Sequence, residues 1–396
     1  MRDIESKIQS VADARYFMKR TLPTFLDRMY ENGTGLGATL KNNVRAFEDV
    51  SFLPQAAVSH KKRGLSTTLL GHQISMPVVL APVGALRTGR PGEGELAVAR
   101  AAGAAGTIQS VSTFTGYPIE DVVAAASGPV FFQLFFLGGR ANTESMIDRA
   151  QRAGCAALVV TVDIAAPALP RERPYKERVH SPTGVSFADG VRSVPQMLPR
   201  LPWLRRFVAD GRPTQVPMAL GADGEPLQLV QAVAHQLDEI PTWDDIAWIR
   251  EQWNGPIILK GILTAKDALR ARDVGVQGIV VSNHGGNHLD GGIASLQALP
   301  RIAAAVPDLE IVIDGGVRRG SDVVKALALG ANAVQIGRGY VYPLMAAGEA
   351  GVKRVLDLFM REIDDTLASL GCASVQQLNP SYVQCPESWG KVGTHW

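Results

Sequence analysis

The chain has 396 residues, a formal net charge of +2 and three scattered cysteines (Cys155, Cys372, Cys385). That length excludes a small stapled module, and near-neutral charge gives no electrostatic case for nucleic acid. Cysteines without CxxC spacing argue against a disulfide framework or structural zinc and suit a reducing compartment. No apolar run approaches the length of a membrane span. The start, Met1-Arg2-Asp3-Ile4-Glu5, lacks a signal peptide's apolar core. A soluble cytoplasmic protein is therefore expected.

In chain order, residues 1 to 77 are expected to form an N-terminal helical cover. Eight short apolar runs then read as buried parallel strands. They are Val78 to Ala81, Thr107 to Ser110, Val130 to Leu134, Ala157 to Val162, Ile257 to Lys260, Gly278 to Val281, Ile311 to Ile313 and Ala333 to Ile336. The segments between them read as helices. Glu93 to Ala105 is rich in Ala and ends at Gly106. Thr264 to Val274 begins Thr-x-x-Asp and ends at Gly275, and Ser321 to Leu329 begins at a Ser cap and ends at Gly330. Strand and helix repeated eight times predict an α/β fold, a (β/α)8 TIM barrel, with a doubly wound sheet as the runner-up. The whole chain, 1–396, is expected to be one barrel domain. Residues 167–241, rich in Pro and Gly, form a long insertion after strand 4, and a loop of this kind on the catalytic face reads as a lid. The tail from Pro380 to Trp396 shows no periodicity.

Barrel enzymes carry their chemistry at the carboxyl ends of the strands. Strand 6 runs into Ser282-Asn283-His284-Gly285-Gly286-Asn287, strand 7 into Asp314-Gly315-Gly316-Val317-Arg318-Arg319-Gly320, and strand 8 into Gly337-Arg338-Gly339. Glycine-freed N–H groups with arginine at the ends of strands 7 and 8 make a phosphate cradle. Either alone is weak, since tight turns and solvated arginines would look the same; together they are a strong joint signal. Lys260 ends strand 5 and reads as a charge partner for a cofactor, with a Schiff-base role or a snorkelling surface position as alternatives. Gln133 and Thr161, at the ends of strands 3 and 4, suit the edge of a flat ligand, although ordinary strand termination explains either one alone. Asp163 facing His284 would fix its tautomer and stabilise its protonated form. The plainer accounts, a structural histidine and a turn aspartate, leave unexplained why both fall at strand ends on one face.

These motifs, with Ala81-Pro82, Gly94-Glu95, Phe131-Phe132-Gln133-Leu134, Thr161-Val162-Asp163 and Leu259-Lys260-Gly261, resemble the FMN-dependent 2-hydroxy-acid oxidase and dehydrogenase family, from about Leu22 to Gly371. The resemblance implies an FMN enzyme acting on a small molecule, assembled as a homotetramer. It implies that His284 is the base, that Asp163 pairs with it, and that Lys260 lies by the flavin N1 and C2 carbonyl. It also implies that Pro82, Val83 and Gly84 pack against the flavin and that Ser112, Gln133, Thr161 and Ser282 hydrogen-bond it. Asp314, Gly316, Arg318, Gly337 and Arg338 are then expected to hold its ribityl chain and phosphate.

The chain departs from the family where the substrate binds. Family members read His-Gly-Gly-Arg-Gln-Leu-Asp; this chain reads His284-Gly285-Gly286-Asn287-His288-Leu289-Asp290. Asn cannot replace a planar cation that clamps a carboxylate. The family's tyrosine after strand 3 aligns with Phe135, and its N-terminal tyrosine aligns with Met29, with Tyr30 one place off. A second family arginine aligns with Arg171. The stretch is similar to a subfamily of mycofactocin-maturing flavoproteins that also has Asn here, as are Leu65 to Thr68 and Pro241 to Ile246. That likeness implies oxidative deamination of a peptide-derived aminolactam, a substrate with no carboxylate to clamp. Two other readings stay open. One is a conventional hydroxy-acid dehydrogenase or oxidase whose carboxylate meets Arg171 or His288; the other is a flavin-binding module without catalysis. Electron acceptors from oxygen to quinone or protein all remain compatible, and the tract Pro199 to Leu204 is expected to pack on the barrel or a neighbouring subunit rather than on a membrane.

Overall fold

A computed structural model describes residues 4–31, 33–164, 171–172, 198–221, 223–235 and 240–390. Eight strands close into a parallel barrel: β1 (Val78–Leu80), β2 (Gln109–Ser112), β3 (Val130–Leu134), β4 (Ala157–Thr161), β5 (Ile257–Ile262), β6 (Gly278–Val281), β7 (Glu310–Ile313) and β8 (Ala333–Ile336). Each pairs with the next, and β8 closes on β1 through Val334↔Val78. The expected barrel is therefore present. β2 starts two residues later than its apolar run suggests, because Thr107 and Ile108 approach the barrel before the ladder to β3 begins at Gln109.

The strands are buried along nearly their whole length, as apolar runs without alternation require when side chains fill the interior on one face and meet helices on the other. The interior layer contains Val79, Ile108, Phe131, Val159, Ile258, Val280 and Val312, and it packs against Leu69 and Ile74. Those last two belong to an antiparallel hairpin, Thr67–Leu69 with His72–Ile74, that plugs the barrel at the amino ends of its strands. The N-terminal segment is thus helical only in part. Helices Val11–Thr21, Thr24–Glu31 and Ala38–Asp49 are followed by strand Ser51–Phe52 and this hairpin. The β-branched and turn residues Thr67, Thr68, Gly71 and Ile74 explain the change, with Gly71 at φ +80°.

Four of the five expected caps hold, Gly106 and Gly330 among them at φ +65° and +107°. Thr264 Oγ accepts from Asp267 N at 3.0 Å at the start of helix Ala265–Asp273, and Gly275 leaves that helix at φ +86°. The fifth differs. The helix after β7 starts at Gly320, and Asp322, not Ser321, closes its entry by accepting from Arg318 N and Arg319 N, while Gly320 N donates to Glu362 Oε2. A carboxylate one residue further on reaches both free N–H groups, which a short hydroxyl at Ser321 does not.

Of the insertion after β4, the described residues show helix Leu201–Ala209, a hairpin of Gln215–Leu220 with Pro226–Gln228, and helix Leu229–His235. Trp203 is buried, stacked on Phe207 at 4.9 Å, so this part packs on the barrel. The expected lid otherwise lies outside the described residues. In the tail, Val383–Gln384 pairs with Ser51–Phe52. Among the described residues no helix is long and apolar enough to cross a membrane.

Candidate active site

The carboxyl ends of the strands surround a cavity of about 570 Å³. One wall is a hydrogen-bonded ladder across three strands. Ser112 Oγ donates to Gln133 Oε1 at 3.0 Å, and Gln133 Nε2 donates to Thr161 Oγ1 at 2.9 Å. All three side chains are buried, and the ladder fixes which way each amide and hydroxyl faces.

Lys260 continues the row on the next strand, in register with Thr161. Its ammonium donates to Ser282 Oγ at 3.0 Å and pairs with Asp314 Oδ2 at 3.2 Å. Burial works against this ammonium, but the charges of Asp314 and Asp163 outweigh it and raise its pKa above the ordinary lysine value. Lys260 is therefore a fixed cation and not an amine nucleophile, which needs a depressed pKa.

The loop after β6 is bent sharply. His284, Gly285 and Gly286 all have positive φ (56°, 63° and 74°). For histidine this costs on the order of 1–3 kcal/mol and must be enforced by its surroundings. Asn283 and Asn43 do so by exchanging two amide hydrogen bonds, both 2.7 Å, while Asn283 Nδ2 also donates to Ile293 O. Ser282 Oγ receives the His284 amide at 3.0 Å.

The bend brings His284 Nδ1 to 3.0 Å from Asp163 Oδ1. A carboxylate only accepts, so Nδ1 carries the proton and Nε2 presents its lone pair to the cavity. Burial alone would raise the Asp163 pKa, but His284, Lys260 and His288 reverse this and bring it to about 2. The acid therefore stays ionised at any working pH. A group depressed in the folded state contributes stability that is present above about 4 and lost as pH falls toward 2.

Phe135 stacks on His284 (6.4 Å between centroids, 19° between planes) and packs at a tilt of 48° against Phe114 at 5.1 Å. His288 stands edge-on to His284 at 4.5 Å, and its Nδ1 is buried with no hydrogen-bond partner among the described residues. Burial, with the proximity of His284, lowers the His288 pKa from 6.5 to about 4. Between those values the unfolded chain binds a proton that the native chain refuses, so stability falls as pH drops through that window. The His288→Gln variant is expected to lose less stability than the wild type between pH 6.5 and 4. Urea midpoints at both ends of the window check this, and equal losses would contradict it.

Met29 lines the rim, 42% exposed. Tyr30 lies beside it, but its hydroxyl donates to Ala85 O at 2.7 Å and is buried. Arg171 also reaches the cavity, where its Nη1 donates to Gly35 O at 3.3 Å. Pro82, Val83 and Gly84 line the wall after β1, and Gly84 lets that segment approach Phe114, whose Cβ would lie 2.7 Å from a Cβ there.

At the other end lie Asp314, Gly315, Gly316, Arg318, Gly337 and Arg338. Burial lowers the pKa of both arginines, that of Arg338 to about 10. Two guanidiniums in one buried end, with Arg318 adding to the burial that lowers Arg338, suit an anion such as a phosphate. Asp314 Oδ1 and Gln335 Oε1 are buried without partners among the described residues, acceptors suited to the hydroxyls of a ribityl chain. The donor set, the orphaned acceptors and the backbone-lined wall together fit a flavin mononucleotide.

The sequence profile described as FMN-dependent dehydrogenase matches residues 18–385. The chain belongs to the FMN-dependent dehydrogenase family. It is an oxidoreductase of the 2-hydroxy-acid dehydrogenase kind, and its cofactor is FMN. It is 42% identical to pre-mycofactocin synthase of Mycobacterium tuberculosis over 96% of each chain. To L-lactate dehydrogenase of Pseudomonas putida it is 39% identical, over 94% of this chain and 97% of that one. Its fold matches a crystal structure of the monotopic membrane protein (S)-mandelate dehydrogenase with a TM-score of 0.88 at 34% identity, covering 96% of this chain and all of the other.

Two contacts of this family member's site carry no signal in the sequence, although Tyr30 itself stands out there beside Met29. Asn43 sits on a helix 240 residues before its partner Asn283, and only the closed barrel brings them together. Tyr30 serves the segment after β1 through its hydroxyl, a role invisible without that contact.

Proposed function

We propose that this enzyme oxidises a carbon bearing an amine or hydroxyl on a substrate without a carboxylate, and that oxidative deamination of an aminolactam of the mycofactocin type is its reaction. The observation that carries this reading is the pairing of a complete His284–Asp163 dyad with Asn287, His288 and Phe135 around it. The base is intact while the groups expected to clamp a carboxylate are neutral or apolar. The relative named pre-mycofactocin synthase supports it at 42% identity.

In this reading FMN, when bound, would supply the acceptor for the two electrons that leave the substrate carbon. His284 takes a substrate proton at Nε2, held in line by Asp163 at Nδ1, and the carboxylate stabilises the resulting cation. Lys260, locked by Asp314 and Ser282, keeps a positive charge at the end of β5, where negative charge grows during reduction. Phe135 and Phe114 exclude water from one side of His284. For an amine, the oxidised carbon is an imine, and water then replaces its nitrogen to give a carbonyl and ammonia.

Arg171 at the cavity rim favours a second reading, a hydroxy-acid dehydrogenase whose carboxylate meets that guanidinium, in keeping with the L-lactate dehydrogenase relative. Anaerobic mixing of the FMN-loaded protein with lactate, glycolate, mandelate and the aminolactam separates the two. Bleaching of the flavin by the aminolactam alone is the expected result. Bleaching by a simple hydroxy acid would overturn it and make Arg171 or His288 the clamp, and a flavin that none of them bleaches would favour the binding module.

A further inference from the structure

Asn287 lines the cavity directly before His288, and its carboxamide is held in one orientation. Its Oδ1 accepts from Arg338 Nη2 at 2.8 Å. A guanidinium has only donors, so the carboxamide meets it through oxygen; turned over, it would set N–H against N–H. Arg338 is fixed in turn, with Nε donating to Tyr30 O and Nη1 to Gly285 O, both at 3.0 Å. The Nδ2 amine is thereby directed away from Arg338 as a neutral donor.

The surrounding charges leave a carboxylate poorly served. Lys260 is engaged by Asp314, the Arg171 guanidinium on the rim is tied to Gly35 O, His288 is uncharged near neutral pH, and Phe135 offers a ring. A buried carboxylate without a paired cation is costly, whereas a neutral carbonyl needs only one good donor. We propose that Arg338 acts as a positioning residue that fixes Asn287 with its Nδ2 donor toward the substrate, so that the site selects an uncharged amide or lactam carbonyl over a carboxylate. This rests on the reading of the cavity as a substrate-oxidising site and adds the group that recognises the substrate.

Phenylacetamide and phenylacetate provide the test. They differ only in amide for carboxylate and carry nothing oxidisable, so both can be titrated into the FMN-loaded protein with the flavin absorbance as readout. The wild type is expected to bind the amide about tenfold more tightly. The Asn287→Asp variant keeps an oxygen for Arg338 but loses the donor, and its affinity for phenylacetamide is expected to fall about tenfold with FMN content unchanged. Equal or tighter binding of phenylacetate by the wild type, or an unchanged amide affinity in the variant, would overturn the proposal. The wild-type comparison stands even if the variant folds poorly. Because neither probe turns over, this result is separate from whether the aminolactam is the substrate.

Discussion

Replacing His284 with Ala is expected to slow flavin bleaching by substrate by about 10²–10⁴-fold, the usual contribution of a positioned general base. FMN content should be unchanged, because the backbone turn at His284 is enforced from outside by Asn43, Asn283 and Ser282 and not by the imidazole. Removing the ring deprives the buried Asp163 carboxylate of its partner and empties the space beside Phe135 and His288, so some loss of stability is expected and FMN content is read on the same samples. Asp163→Asn is the sharper companion. The amide can still meet Nδ1, but it can do so by donating, which would move the imidazole proton to Nε2 and take the lone pair away from the cavity. A fall in rate in that variant, with the geometry kept, points to the tautomer and the lost negative charge. Rapid anaerobic mixing measures both variants. A rate within tenfold of wild type for His284→Ala would remove His284 as the base.

Much of this site is legible in the sequence because each chemical group follows an apolar run. Lys260, His284, Asp314 and Arg338 all stand at or just past buried strands, and parallel strands in a barrel put those ends on one face. Asn287 and Phe135 also stand out, as departures from a pattern. Three things are not legible, for one reason: they depend on contacts between segments far apart in the chain. The Asn43–Asn283 pair is one. The hairpin Thr67–Ile74 is another, since its apolar residues are few and gain their meaning only from the barrel floor they fill. The third is the use of Arg338. At sequence level it reads as a phosphate ligand, yet its guanidinium also spans Tyr30, Gly285 and Asn287, linking the phosphate end to the substrate end. Local pattern reports which residue leaves a strand; it does not report where a long side chain finds its acceptors.

Gly316→Ala is the second substitution expected to have a large effect, and it acts through backbone alone. Gly316 has φ +95°, outside the region that residues with a Cβ occupy without strain. A Cβ there would also collide with the carbonyl oxygen of Asn43 and come within 3.0 Å of Val44 N. Neither partner can yield as a side chain would: both are backbone of helix Ala38–Asp49, whose Asn43 side chain holds the loop carrying His284. Conformational strain and overpacking each cost on the order of 1–3 kcal/mol, so a loss of about 2–6 kcal/mol is expected. Relief of the clash requires the Asp314–Arg318 loop and that helix to separate. The phosphate end would widen, and Asn43 would withdraw from Asn283. The variant should therefore lose bound FMN and, when loaded with excess FMN, still react slowly. Gly71→Ala is the matched control. Its φ is +80°, but nothing lies within 4 Å of the added Cβ, so it isolates the strain from the collision. Urea unfolding with FMN content read on the same samples checks both, and equal effects of the two substitutions would show that the contact with Asn43 is not what Gly316 protects.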